Sequence, residues 1–193
     1  MNQREQILSA VKKNKPQSTP LPEMKLFDGQ CDSILDKYVE SLNKIGGTCK
    51  IIDRTEDINM IVKSQFSDLG QVATNMQEVL IANIDLKEIT DPHQLEQVNI
   101  AVLHGELAVA ENGAVWLEGK QIIHQAIPFI TQHLILVIER ENIVENMHVA
   151  YSKINIERPS YGVFIAGPSK TADIEQSLVI GAHGSRSLLV LIR

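Results

Sequence analysis

The chain has 193 residues, of which 18 are Lys or Arg and 24 are Asp or Glu, giving a net charge of −6; 44% are hydrophobic and 22% charged. This is an ordinary globular composition, enough for one sizeable core. The acidic balance argues against a general nucleic-acid binder, which needs a basic face to neutralise phosphates, and no run reaches the ~18 apolar residues of a membrane span.

Residues 2–13 are predicted to form a short helix with Ile7, Leu8 and Val11 on one side. The stretch 14–30 holds Pro16, Pro20 and Pro22 and reads as an extended arm, so that 1–30 forms a detached helix and arm and 31–193 a single domain. Helical spacing of Ile34, Leu35, Tyr38, Val39, Leu42 and Ile45 ends at Gly46-Gly47. A strand over 48–52 and a helix over 55–66 follow. The centre holds three short apolar runs, 100–103, 107–110 and 114–117, separated by His104-Gly105-Glu106 and Glu111-Asn112-Gly113 as turns. Then come a strand over 133–138, a helix near 142–156, a strand over 162–166, a helix over about 171–181 and a strand over 187–192. Alternating helices and continuously apolar strands predict an α/β fold with a mainly parallel sheet flanked by helices on both faces.

The opening Met1–Gln6 is polar with no apolar signal-peptide core behind it, so a cytoplasmic location is expected. Two cysteines, Cys31 and Cys49, are too few for a four-thiolate iron–sulfur cluster, and no dinucleotide G-x-G-x-x-G fingerprint is present. The six histidines show neither H-x-H nor H-E-x-x-H spacing. The expectation is a chain with no metal, cluster or flavin of its own.

The segment Phe164–Glu175 (FIAGPSKTADIE) carries the densest chemistry. Ser169 and Thr171 either cap the following helix and nothing more, with Asp173 and Glu175 complementing its dipole, or line a polar site with Lys170 and Asp173. Two carboxylates in a first helical turn suit hydroxyls, amines or a partner's basic side chain better than a phosphate. His183, between Gly181 and Gly184, either caps a helix C-terminus or faces the site as an acid–base group.

The run Gly167–Glu175 (GPSKTADIE), followed by Gly181-Ala182-His183-Gly184, closely resembles the C-terminal signature of the lactate-utilisation protein C family, which carries the LUD domain. Upstream, Ala110–Ala114 (AENGA) stands where that family has A-E-T-G-T, and Ile127-Pro128 matches its proline. The resemblance covers about 98–193; before that it holds mainly in element order. It implies a sheet like that of the glucosamine-phosphate isomerase, ribose-phosphate isomerase and CoA-transferase superfamily. It also implies a cluster-free component of a system oxidising L-lactate to pyruvate, working with iron–sulfur partner subunits; a small carboxylate is a candidate ligand. Asn112 and Ala114 replace two threonines of the pattern, and Ser185 replaces a proline.

Glu111-Asn112-Gly113 also resembles the S-E-N-G turn of CoA transferases, whose glutamate is the nucleophile; this supports the alternative of a free-standing CoA-transferase-like or sugar-phosphate isomerase-like enzyme. Otherwise Glu111 is a hairpin carboxylate bonded to nearby backbone N–H groups, or a binding residue. His104 and Glu106 are expected to approach Glu111 from a neighbouring strand end, and Trp116 to lie in the core. Catalytic candidates are therefore Glu111, Asp173 and His183, and binding candidates Ser169, Lys170 and Thr171. All are expected at one rim of the sheet, with His183 the outlier because a regular helix over 171–181 carries it ~15 Å away.

Overall fold

A computed structural model describes residues 2–20, 33–154, 161–172 and 178–193. The backbone divides into two units, Met1–Gln30 and Cys31–Arg193. In the first, α1 (Gln3–Lys13) starts at Asn2, whose side chain accepts from Glu5 N while the Glu5 carboxylate accepts from Asn2 N. Residues 15–20 have no regular secondary structure. The rest of the arm, together with Cys31, lies outside the described residues.

The second unit runs α2 (Ile34–Lys44), β1 (Thr48–Ile51), α3 (Ile58–Gln65), β2 (Gln71–Thr74), β3 (Val98–His104), β4 (Leu107–Val109), β5 (Ala114–Glu118), α4 (Ile127–Ile130), β6 (His133–Ile138), β7 (Ile143–Val144), α5 (Met147–Lys153), β8 (Gly162–Ile165), β9 (Lys170–Ala172), β10 (Leu178–Ile180) and β11 (Ser187–Ile192). A wholly parallel five-stranded sheet has the order β1-β11-β6-β3-β2. A second sheet, β7-β4-β5-β8, is antiparallel at β4/β5 and β5/β8.

The period-2 geometry of the central strands sorts the core into two layers. Leu134, Leu136 and Ile138 of β6, with Leu188 and Val190 of β11, face Tyr38 and Leu42 of α2 and the inner residues of the second sheet. Ile135 and Val137, with Leu189 and Leu191, face Ile58, Ile61 and Val62 of α3. Both faces of β6 are therefore dry, which is why its sequence shows no polar alternation. The architecture is α/β, with a mainly parallel sheet flanked by helices.

Two elements differ from the sequence expectation. The helix expected near 142–156 starts only at Met147, because Ile143 and Val144 pair with Ala108 and Val109 of β4. Where a helix is expected over 171–181, the described residues at its two ends form an antiparallel pair, with Ile180 opposite Lys170 and Val179 opposite Thr171. Gly181 N then donates to Ser169 O, extending that ladder. The β-branched Thr171, Val179 and Ile180 favour extended backbone, and pairing with a second strand satisfies the groups that a helix would bond internally.

Candidate functional site

Strand direction defines two rims of the parallel sheet. The amino rim gathers the starts of β1, β11 and β6, and the chain reaches it through the α2–β1 turn, Ser185 and α4. Ser169, Lys170, His183 and Ser185 sit there with Pro128 and Phe129, lining an opening of about 290 Å³. This rim is not the carboxyl end of parallel strands, where ligands of open α/β sheets usually bind. The Gly167-Pro168 corner follows β8, which belongs to the antiparallel sheet, so the rule for parallel strands does not apply to it.

Each site residue has a local structural cause. Gly167 has φ +77°, and a Cβ there would lie 2.7 Å from Ile45 O, so the corner needs a residue without a side chain. Pro168 follows and is buried. Ser169 N donates to Ser185 O at 2.8 Å, which binds the corner to the loop before β11. A Cβ on Gly184 would come within 3.0 Å of Ser169 Cβ, so this glycine allows the two segments to touch. Lys170 lies against Gly46 of the α2–β1 turn.

The β9–β10 pair is what unites the site. It returns the chain opposite Lys170 at Ile180, three residues before His183, whereas the expected helix would carry His183 away. Lys170 and His183 are exposed and have no carboxylate partner among the described residues, and Lys170 brings an ammonium group to the opening. Arg186, also exposed, stands nearby at the entry to β11 and bears on His133. Burial, and then the Arg186 charge, push the His133 imidazole below its ordinary pKa. Asp173 lies outside the described residues, as does the side chain of Thr171.

The sequence profile of the LUD domain matches residues 74–192, more than half of the chain and including every residue of this opening. The chain belongs to the LUD domain family. Several curated relatives bear the name lactate utilization protein C. The Geobacillus thermodenitrificans protein is 36% identical over 95 residues, covering 46% of this chain and 40% of that protein. The Bacillus subtilis protein is 33% identical over 95 residues, with the same coverage. The Shouchella clausii protein is 30% identical over 121 residues, covering 60% of this chain and 52% of that protein. The chain thus spans only about half, or less, of the length of these relatives. A crystal structure of a DUF162 family protein from Deinococcus radiodurans superposes with a TM-score of 0.63 at 16% identity, covering 82% of this chain and 95% of that one, which establishes the fold.

Within this LUD domain, Glu111 lies outside the opening. Its Oε2 accepts from Met147 N at 3.0 Å, at the first residue of α5, where the Asn146 side chain already accepts from Val149 N. This is the turn carboxylate bonded to backbone, one of the readings its sequence allows. The β5–β8 register, Val115 opposite Ile165, puts the Glu111–Gly113 turn and the Gly167 corner at the same end of the second sheet. Gly113, like Gly167, abuts Ile45. Glu111 is therefore a neighbour of the corner and not one of the residues lining the opening.

His104 and Glu106 do not approach Glu111. The three residues of β4 separate them, with Leu107 opposite Trp116 at one end and Val109 opposite Ala114 at the other. Trp116 is half-buried, with its ring 4.7 Å from that of Phe164. The contribution of the α2–β1 turn was not legible in the sequence. Gly46-Gly47 signals a helix stop, and nothing local indicates that Ile45 supports two distant corners.

Proposed function

We propose that this LUD domain acts in lactate utilisation as the cluster-free component of a cytoplasmic system oxidising L-lactate to pyruvate, and that its amino-rim opening binds a small carboxylate. The observation that carries the ligand reading is the convergence of Ser169, Lys170 and His183 on one opening, with no carboxylate among the described residues to neutralise them. The Lys170 ammonium attracts an anion, and the Ser169 hydroxyl and a ring N–H of His183 donate to its carboxylate oxygens. At about 290 Å³ the opening lies at the small end of ligand pockets, a size for a three-carbon acid and not for a coenzyme. The names of the relatives support the lactate setting.

In this reading the iron–sulfur partner subunits perform the electron transfer, and this chain supplies binding and orientation. Cys31 and Cys49 are too few for a four-thiolate cluster and the sequence has no G-x-G-x-x-G fingerprint, so the purified chain is expected to be colourless and free of iron and flavin. Deletion of the gene, complemented with wild type or Lys170→Ala, tests the whole reading. Growth on L-lactate should fail without the gene, return with the wild type, and stay impaired with the variant. Unchanged growth on L-lactate after deletion would refute it. For the ligand alone, calorimetric titration of the purified domain with L-lactate should show affinity at least tenfold weaker in Lys170→Ala, the loss of one charge-assisted contact.

A further inference from the structure

The amino-rim opening has two sides of different chemistry. Ser169, Lys170 and His183 form the polar side, and Pro128, Phe129, Ile165, Ala166 and Pro168 supply carbon. Most of that carbon is already spent on the fold. Pro128 and Pro168 are buried, and Ile165 belongs to the main core. The ring of Phe164, which also borders the opening, is engaged with Trp116 at 4.7 Å and Tyr151 at 5.8 Å between centroids. Phe129 differs. It stays 43% exposed, alone in this among the large apolar residues described along the opening. An aromatic left open beside cationic and hydroxyl groups is apolar surface that a ligand can cover.

The backbone brings the two sides together. Phe129 lies in α4, the single helical turn that Pro128 helps to start before β6. The Phe129 carbonyl, the Ser169 Cβ and the Ser169 Oγ all lie within 3.5 Å of the point where a Cβ on Gly184 would stand. The missing side chain of Gly184 thus lets α4 and the Gly167 corner close on one space, with His183 one residue away. A carboxylate held by Ser169 and Lys170 therefore has its carbon chain beside α4.

We propose that Phe129 is a specificity-determining residue of this opening, selecting monocarboxylates with a short apolar chain over acids with none and over dicarboxylates. The inference rests on the carboxylate reading of the site given above and adds the class of acid to it. A methyl or ethyl group laid on the Phe129 ring leaves water at no polar cost. A second carboxylate on the same wall would lose water and meet no donor from Phe129, Pro128 or Ala166, since none of their side chains has an N–H or O–H.

The test is calorimetric titration of the full chain with the sodium salts of glycolate, L-lactate, L-2-hydroxybutyrate and L-malate. Affinity should rise about threefold from glycolate to L-lactate and again to L-2-hydroxybutyrate, the worth of one largely covered methylene each time. L-malate should bind about tenfold more weakly than L-lactate. Phe129→Ala should level the first three acids while leaving glycolate within about twofold of its wild-type affinity, and Phe129→Leu, which keeps an apolar wall, should retain the order. Melting temperatures of both variants confirm that they are folded, and the wild-type series stands without them. Equal wild-type affinities for glycolate, L-lactate and L-2-hydroxybutyrate, or L-malate binding as tightly as L-lactate, would overturn the selectivity and leave the carboxylate site standing if Lys170→Ala still weakens binding. No binding of any of the four acids, or binding indifferent to Lys170→Ala, would overturn the site and the selectivity together.

Discussion

Ser169 donates its backbone N–H to the Ser185 carbonyl at 2.8 Å, while its own carbonyl accepts from Gly181 N at 2.9 Å. One residue thus fastens two segments that are distant in sequence, and Lys170 and His183 lie beside the fastening. The position of these two side chains follows from the register of a short antiparallel pair, with Ile180 opposite Lys170. A slip of one residue would turn alternate side chains to the other face.

The contact between Gly184 and Ser169 gives a direct stability test. A Cβ on Gly184 would lie 3.0 Å from Ser169 Cβ, tighter than side chains normally pack, and in ordinary contact with Phe129 O at 3.5 Å. Gly184→Ala is expected to cost about 1 kcal/mol, the low end of overpacking, and to lower the melting temperature by roughly 2–4 °C in a chain of this size. Ser169→Gly in the same chain removes the opposing atom and should recover most of the loss. Additive losses in the double variant would show that the two residues do not crowd each other.

Glu111 is predicted to act on stability before it acts on chemistry. Its carboxylate accepts from the first N–H of α5, so Glu111→Ala is expected to cost ~1 kcal/mol, as for a lost helix-terminal acceptor. Urea unfolding measures the cost through the midpoint at unchanged slope. L-lactate-dependent growth at low temperature should be preserved. A growth defect at native stability would instead return Glu111 to the catalytic candidates.

Much of this fold can be read in the sequence where burial is complete. β6 and β11 are apolar at nearly every position because both faces are covered, and their bounds, His133–Ile138 and Ser187–Ile192, match the expectation. β2 went unread: only Val72 and Ala73 of its four residues are buried, and turn-forming sequence surrounds it. Sequence spacing reads 171–181 as helix, yet the pairing of Lys170–Ala172 with Leu178–Ile180, invisible to local reasoning, makes those two stretches the strands β9 and β10. The opening is similar. Ser169 and Lys170 stood out as a motif, but His183 joins them only through the strand pair that the sequence concealed.

The opposite rim holds a network whose cost is borne by one side chain. Arg193 donates to Glu139 at 2.6 Å and to Glu78 at 2.7 Å, and Arg54 bridges Glu139 and Glu141. Partial burial works against the Arg193 charge, but its bonds to Glu139 and Glu78 hold its pKa above the ordinary value. Arg193→Met leaves Glu139, itself only 20% exposed, without one of its two cations. The expected loss is about 2 kcal/mol, typical of a partly buried charged hydrogen bond. Glu139→Gln added to Arg193→Met should lessen the damage, and double-mutant unfolding measures the coupling.

His133 should govern stability just below neutral pH. Its ring nitrogen lies 2.8 Å from Ser187 Oγ and its ring 4.8 Å from that of Phe66, and burial followed by the Arg186 charge lowers its pKa. A histidine whose folded pKa is below its unfolded value, ~6.5, binds fewer protons in the folded state. Stability is therefore full above that value and falls as pH drops through it toward the folded pKa. Asp53 and Asp57 are also held low, chiefly by hydrogen bonds from Thr55 and Asn59, and act in the same sense only at more acidic pH. His93, raised by Asp91, acts in the opposite sense, but it is fully exposed and its effect is screened. The melting temperature should thus decline on going from pH 7.5 to pH 5.5, and His133→Gln should flatten that decline by removing the titrating group. An unchanged slope in the variant would assign the acid sensitivity to the carboxylates.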